Sequence, residues 1–164
     1  MAAETTKPDL PTVIRGGCLC EGVRYEIRFA PDHDFANSSS TCQCEQCRKN
    51  TGSPMFLQHT APASRVTFTA DGTLRRYYAS PGNARGFCGA CGSFLFWRPD
   101  GRDNTSFAVG CFDKADLRRY GTLLADARCH LWCADTIPGV TDHLRGEKWE
   151  YDCEGEGAKL LSKD

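Results

Sequence analysis

Seven cysteines in three tight groups set the chemistry open to this chain. Cys18-Leu19-Cys20 follows Gly16-Gly17, Cys42-Gln43-Cys44-Glu45-Gln46-Cys47 puts three thiols in six residues, and Cys88-Gly89-Ala90-Cys91 is followed by Gly92. C-x-x-C-G is the sequence of a zinc knuckle: one tight turn brings two thiolates to one metal, and glycine permits the backbone geometry. Cys18 and Cys20 can supply the other half of such a site, because residues two apart on a strand point the same way. Four thiolates close a tetrahedron, the arrangement of structural zinc. A site of that kind would pin residues 18–20 to residues 88–91, and its binding free energy would add to folding free energy.

The middle group cannot fill a tetrahedron alone. Either a distant fourth ligand (Cys129, Cys133, His59 or His130) makes a second inert site, or one position stays open to an exchangeable ligand, the pattern of catalytic zinc. Three thiolates would leave the zinc with a net charge of about −1, a weak Lewis acid but one suited to holding a substrate thiolate. A different grouping, Cys18 and Cys20 with two of Cys42, Cys44 and Cys47, strands the knuckle. The other cysteines, Cys111, Cys129, Cys133 and Cys153, read as small buried hydrophobes or idle thiols. His33 reads as solvated in a polar loop, and His130, between Cys129 and Leu131, as a hydrogen-bonded core histidine. Trp97, Phe94, Phe96 and Trp132 are most simply core.

Composition narrows the setting. The chain has 11 cysteines in 164 residues, an odd number, and its first ten residues carry Glu4, Lys7 and Asp9 with no apolar run. That is not a secretory signal, so a reducing, cytoplasmic setting is expected, with metal binding rather than disulfides. Twenty Lys and Arg against 21 Asp and Glu give a net charge of −1, which argues against nucleic acid or another polyphosphate as partner. No segment approaches the roughly 18 apolar residues of a membrane span, so no membrane partner is expected.

The elements that must position these cysteines are short. Val23, Tyr25, Ile27 and Phe29 alternate with Arg24, Glu26 and Arg28, a half-buried strand. Pro31–Thr41, with its triple serine, reads as a polar loop. Glu45–Asn50 can make one or two helical turns, closed by Gly52 and Pro54. Met55–Gln58, Val66–Ala70, Leu74–Ala79, Phe94–Trp97, Phe107–Val109 and Leu131-Trp132 read as strands, separated by turns such as Asp71-Gly72 and Ser80-Pro81-Gly82-Asn83. Asp113–Arg119 reads as a short helix capped by Asp113. The expected organisation is a lead-in over residues 1–11, one zinc-binding domain over 12–153, and a frayed polar tail over 154–164. The fold class is mostly β: a single compact domain of short antiparallel strands stapled by zinc.

Four stretches, in order, resemble a known family: Gly16-Gly-Cys-Leu-Cys20 running into Val23-Arg-Tyr25; Cys42-x-Cys-x-x-Cys-Arg-Lys-x-Thr-Gly-Ser-Pro54; Ser80-Pro-Gly-Asn-Ala-Arg-Gly-Phe-Cys-Gly-Ala-Cys-Gly-Ser93; and Val109-Gly-Cys-Phe-Asp113, with His130 opening a late strand. The chain is similar over roughly residues 14–150 to the glutathione-dependent formaldehyde-activating enzymes (GFA), a family of carbon–sulfur lyases. The resemblance implies a compact β fold shared with a small zinc protein that acts on Rab GTPases. It implies two zinc ions per chain, a structural one on Cys18, Cys20, Cys88 and Cys91 and a catalytic one on Cys42, Cys44 and Cys47. It also implies the joining of a small-molecule thiol, glutathione or similar, to an aldehyde: with formaldehyde the product is S-hydroxymethylglutathione. Glutathione brings two carboxylates, for which Arg48, Lys49 and Arg85 are the candidate partners. The sequence departs from the family at Gln43, where a histidine is common, and after Trp132, where an aromatic is common; both are places where substrate choice could be set. The alternative is a non-enzymatic zinc module binding a protein partner, as the related Rab-acting protein does.

Overall fold

The alternation of Val23, Tyr25 and Ile27 becomes the middle of a small sheet in the computed structural model, which describes residues 9–163. Strand β2 (Arg24–Arg28) pairs antiparallel with β1 (Val13–Gly17) on one side and β5 (Val66–Ala70) on the other. The remaining described strands form one nine-stranded sheet. Its order is β12 (Leu160–Lys163), β11 (Glu147–Trp149), β10 (Cys129–Leu131), β3 (Ser39–Cys42), β4 (Phe56–Ala61), β9 (Thr105–Ala108), β8 (Phe94–Pro99), β7 (Asn83–Cys88) and β6 (Leu74–Ser80). The pairs are antiparallel except around β10, which runs parallel to both β3 and β11. The expectation of a mostly β fold is met, with these two parallel pairs as a refinement.

The main core brings the small sheet against the large one. Ile14, Val23, Tyr25 and Ile27 pack with Leu95, Phe96, Phe107, Val109 and Phe112, and Leu124 closes it from helix α2 (Lys114–Ala125). Fully burying a side chain of this size stabilises the fold by about 1.5–3 kcal/mol. The Tyr25 ring lies 4.8 Å from that of Phe107.

Several elements differ from the sequence reading. Ser39, Ser40 and Thr41, expected in a loop, form an interior strand; Ser39 and Thr41 are buried and their hydroxyls bond to His59 and His130. The turn expected over Ser80-Pro81-Gly82-Asn83 narrows to Pro81-Gly82: Ser80 ends β6 and Asn83 opens β7, which continues to Cys88. The last helix runs six residues beyond Arg119, to Ala125. Asp113 does hold its N-cap position, but its carboxylate makes no cap bond and instead takes both ends of the Arg24 guanidinium, at 2.8 and 2.5 Å. The polar C-terminal stretch carries β12, antiparallel to β11, rather than fraying. Of the expected lead-in, residues 1–8 lie outside the described residues, and Asp9 pairs with Arg119 at 2.7 Å. Among the described residues, no helix is long and apolar enough to cross a membrane.

Candidate metal centres

Two cysteine groups converge, and their membership is that expected from the spacing together with the resemblance. The sulfurs of Cys18, Cys20, Cys88 and Cys91 lie within 4.8 Å of one another, and so do those of Cys42, Cys44 and Cys47. Sulfurs held tetrahedrally at about 2.3 Å from zinc are about 3.8 Å apart. The Cys18–Cys20 and Cys20–Cys88 separations are 3.6 and 3.7 Å. The donor set and its spacing fit a closed four-thiolate zinc site.

Local structure makes that convergence. Cys18 and Cys20 meet in the tight turn between β1 and β2, not along a regular strand: the Cys18 N–H donates to the Val23 carbonyl, and Glu21 takes a left-handed φ of 61°. On the other side Cys88 ends β7, and the knuckle turns through Gly92 at φ +77°, where a side chain would be strained. N–H and O–H donors point at the sulfurs. Val23 N–H donates to Cys18 Sγ at 3.2 Å, and Cys91 N–H to Cys88 Sγ at 3.5 Å. Thr73 Oγ1 lies 3.2 Å from Cys88 Sγ, and Ser93 Oγ 3.3 Å from Cys91 Sγ. The Thr73 hydroxyl draws the Cys88 thiol down in pKa, and the Ser93 hydroxyl with backbone amides lowers Cys91 to about 5. These donors favour the thiolate at Cys88 and Cys91, whereas Cys20, lowered by the Gly22 N–H but raised by the neighbouring Cys18, Cys91 and Cys88 thiols, is pushed up to about 12.

The three-cysteine group is assembled from one short stretch. Cys42 is the last residue of β3 and Cys44 caps helix α1 (Glu45–Thr51), its sulfur accepting from the Cys47 N–H at 3.3 Å. Gly52, at φ +67°, ends the helix as expected, returning its N–H to the Arg48 carbonyl. The crowded thiols share their protons: hydrogen bonds from Cys42 and Cys47 hold Cys44 far below its ordinary range, and the same contact pushes Cys42 up. Phe56 and Phe94 are buried against the sulfurs, with Trp97, Ala108 and Leu131 half-buried around them.

None of the fourth-ligand candidates joins this group. Ser39 gives its hydroxyl proton to the Leu124 carbonyl at 2.7 Å, so it accepts from His59 Nδ1 at 2.8 Å, and His59 Nε2 faces His33 Nε2 at 3.1 Å. His33 is therefore packed between Phe29 and Phe35 instead of being solvated. His130 is buried and bonded through Nδ1 to Thr41 and through Nε2 to the Arg145 carbonyl, both at 2.8 Å, as the core reading expected. Cys133 donates to the His130 carbonyl and accepts from Gln43. Cys129 interacts with Cys153, and Cys111 donates to the Phe94 carbonyl at 3.2 Å. Among the described residues the group has three members.

Arg85 lies against this group. It is 5% exposed, with Nη1 3.7 Å from Cys47 Sγ and Nη2 donating to Gln46 Oε1 at 2.9 Å. Its guanidinium would offset the single negative charge that three thiolates leave on a divalent metal bound there. Lys49 is exposed and paired with Glu45 at 2.7 Å, and Arg48 is half-buried on the same helix. Gln43, also singled out, is fully buried, and its side chain is spent on the segment that follows Trp132. Its Oε1 accepts from Thr141 at 2.5 Å, and its Nε2 donates to Cys133 and Thr136. Sequence reasoning missed both burials. The signal for Arg85 was a lone cation in the run Ala84-Arg-Gly-Phe-Cys88, legible only once β7 is known to be a strand.

Residues 13–135 match the family model described as glutathione-dependent formaldehyde-activating enzyme. No curated protein matches the chain. Among solved structures, a crystal structure of a Rhodobacter sphaeroides protein from a structural genomics programme is similar in fold. It has a TM-score of 0.52 and 22% identity, over 65% of this chain and 94% of that one.

Proposed function

The chain belongs to the glutathione-dependent formaldehyde-activating enzyme family, and from that premise we propose that it joins a small-molecule thiol to an aldehyde, and reverses the step, as a zinc-dependent carbon–sulfur lyase of the cytoplasm. The thiol sulfur forms a bond to the carbonyl carbon, the C=O π bond opens, and the thiol proton ends on the new hydroxyl oxygen. With glutathione and formaldehyde the product is S-hydroxymethylglutathione. The observation that carries this reading is the three-sulfur group with Arg85 beside it and no fourth protein donor among the described residues.

We assign Cys42, Cys44 and Cys47 as ligands of the catalytic zinc and Cys18, Cys20, Cys88 and Cys91 as ligands of the structural one. Zinc at the three-cysteine group would lower the pKa of a substrate thiol, ordinarily about 8.5, and fix its sulfur for attack. The chain's own residues do the rest. The Cys47 amide holds Cys44 in place, Arg85 offsets the anionic charge, and Phe56, Phe94, Trp97 and Leu131 keep one side of the group dry. Arg48 and Lys49, on helix α1 beside Cys47, are the residues we assign to the substrate carboxylates. Arg85, spent on Cys47 and Gln46, acts on the charge of the sulfur group more than on a carboxylate.

Cobalt-substituted protein tests this. Added glutathione should produce a saturable change in charge-transfer and d–d absorption from one of two cobalt ions per chain, with proton release. A spectrum indifferent to every small thiol, with both ions already filled by protein ligands, would overturn the enzyme reading in favour of a protein-binding module.

A further inference from the structure

Trp132 is the one described residue besides Glu21 that is not glycine and yet has a positive φ, at 60° with ψ 43°. A bulky side chain in the left-handed region costs free energy, and such strain persists where the surroundings hold it. They do so here. Trp132 N–H donates to the Tyr151 carbonyl at 2.8 Å, and the Trp132 carbonyl accepts from Asp135 N–H at 3.0 Å. The loop that follows is fastened by Gln43 through Cys133, Thr136 and Thr141.

The strain does not serve burial. The indole is 36% exposed and Tyr151 47% exposed, and their rings meet edge to face at 5.1 Å. The position is close to the three-cysteine group. Leu131 is paired with Cys42 in the parallel β3–β10 register and packs against the sulfurs' cluster, and Gln43 N–H donates to the Leu131 carbonyl. Trp132 therefore sits level with Gln43, between Cys42 and Cys44 along the metal loop.

We infer that Trp132, backed by Tyr151, is a specificity-determining residue that contacts the carbon side of the thiol adduct and favours an apolar, uncharged substituent there, such as the ring of an aromatic aldehyde. This rests on the lyase reading above. Aromatic faces and edges reward a planar apolar group. The acidic residues flanking the pair, Asp135, Glu150 and Asp152, disfavour an anionic one; Glu150 is paired with Lys159 at 3.2 Å.

The test uses the zinc-loaded protein with glutathione and either formaldehyde or benzaldehyde, reading aldehyde exchange by NMR. Trp132→Gly removes the ring where glycine takes the observed φ without strain. The kcat/KM ratio of benzaldehyde to formaldehyde should fall about tenfold or more, chiefly through the KM for benzaldehyde, in the range expected of lost apolar contact. Tyr151→Ala should move it the same way by less, and carries the test if Trp132→Gly does not fold. An unchanged ratio in both variants overturns the inference, as does wild-type protein that turns over formaldehyde and not benzaldehyde. The two readings fail separately: cobalt protein that binds no thiol removes the lyase reading, whereas a normal thiol response with an unchanged ratio removes only this one.

Discussion

The two sulfur groups are made from the same residue type and the same kind of turn, yet they stand in different relation to the fold. The four-cysteine group joins the β1–β2 turn to the end of β7, so it ties the small sheet to the large one. The three-cysteine group comes from one stretch of six residues, already placed by β3 and α1. Arg85 lies against it, 3.7 Å from Cys47 Sγ, whereas backbone N–H groups and hydroxyls bond the sulfurs of the other. On the reading proposed above, a metal closing the first group across the chain would contribute to stability, and a metal on the local set of three would keep a valence for chemistry. The difference lies less in sulfur count than in what the rest of the chain must do for each group.

Removing one ligand from each group should produce the largest contrast. Cys88→Ala deletes a fully buried sulfur from the group that bridges the sheets. Loss of folding, or destabilisation above about 4 kcal/mol, is expected in chemical denaturation. Cys44→Ala should give a folded, soluble and inactive protein with one zinc instead of two by metal analysis. Equal damage from both would break the comparison.

Acid provides a control that belongs to neither group. Burial holds the His59 imidazole down at about 3, against an ordinary value of 6.5. The folded protein therefore resists a proton that the unfolded chain accepts. The associated stability is complete above pH 6.5 and is lost as the pH falls toward 3, at about 1.4 kcal/mol per unit. The full loss is on the order of 5 kcal/mol. Denaturation between pH 7.5 and 5.5, with metal content measured at each point, should show a decline in wild-type protein that His59→Gln reduces. A decline that tracks zinc release alone would assign the acid sensitivity to the thiolates instead.

Arg85 offers a sharper cut between the groups. Arg85→Met keeps the apolar stem and deletes the donors to Cys47 and Gln46. Supporting partners of metal ligands are typically worth tenfold to a hundredfold in affinity. Chelator competition should show about that loss at the three-cysteine group, with retention at the four-cysteine group unchanged. Parallel loss at both would mean that Arg85 supports the sheet and not the site.

Each cysteine cluster was legible in the sequence because a metal-binding turn is a local pattern; that Cys18 and Cys20 join Cys88 and Cys91 came from the family resemblance, spacing alone having left another grouping open. Strand β2 was legible as a local pattern too, since Val23, Tyr25 and Ile27 repeat with the pleat. Strand β3 was not, because its buried residues are Ser39 and Thr41, and only the distant His59 and His130 make them satisfied inside a sheet. The burial of Arg85 depends on β7 pairing with β8, where it lies opposite Trp97. Strand β12 reads as polar because an edge strand with exposed Leu160 and Leu161 carries no burial pattern. What spacing encodes could be read; what long-range pairing creates could not.

The smallest expected effect concerns the cations of α1. If Arg48 and Lys49 meet carboxylates of glutathione, each does so from a partly or fully exposed position, and Lys49 must first leave Glu45. Exposed ion pairs of this kind are worth at most about 1 kcal/mol and are screened by salt. Arg48→Ala and Lys49→Ala should each raise the glutathione concentration for half-maximal cobalt response severalfold, without altering the final spectrum. Cysteamine, a thiol with no carboxylate, should bind all three proteins alike. Raising the salt concentration should weaken glutathione binding to wild type and leave the variants less affected. A severalfold loss shared by cysteamine would show that these side chains shape the metal loop itself. That result would move them from the substrate to the support of the open group, where Arg85 already stands.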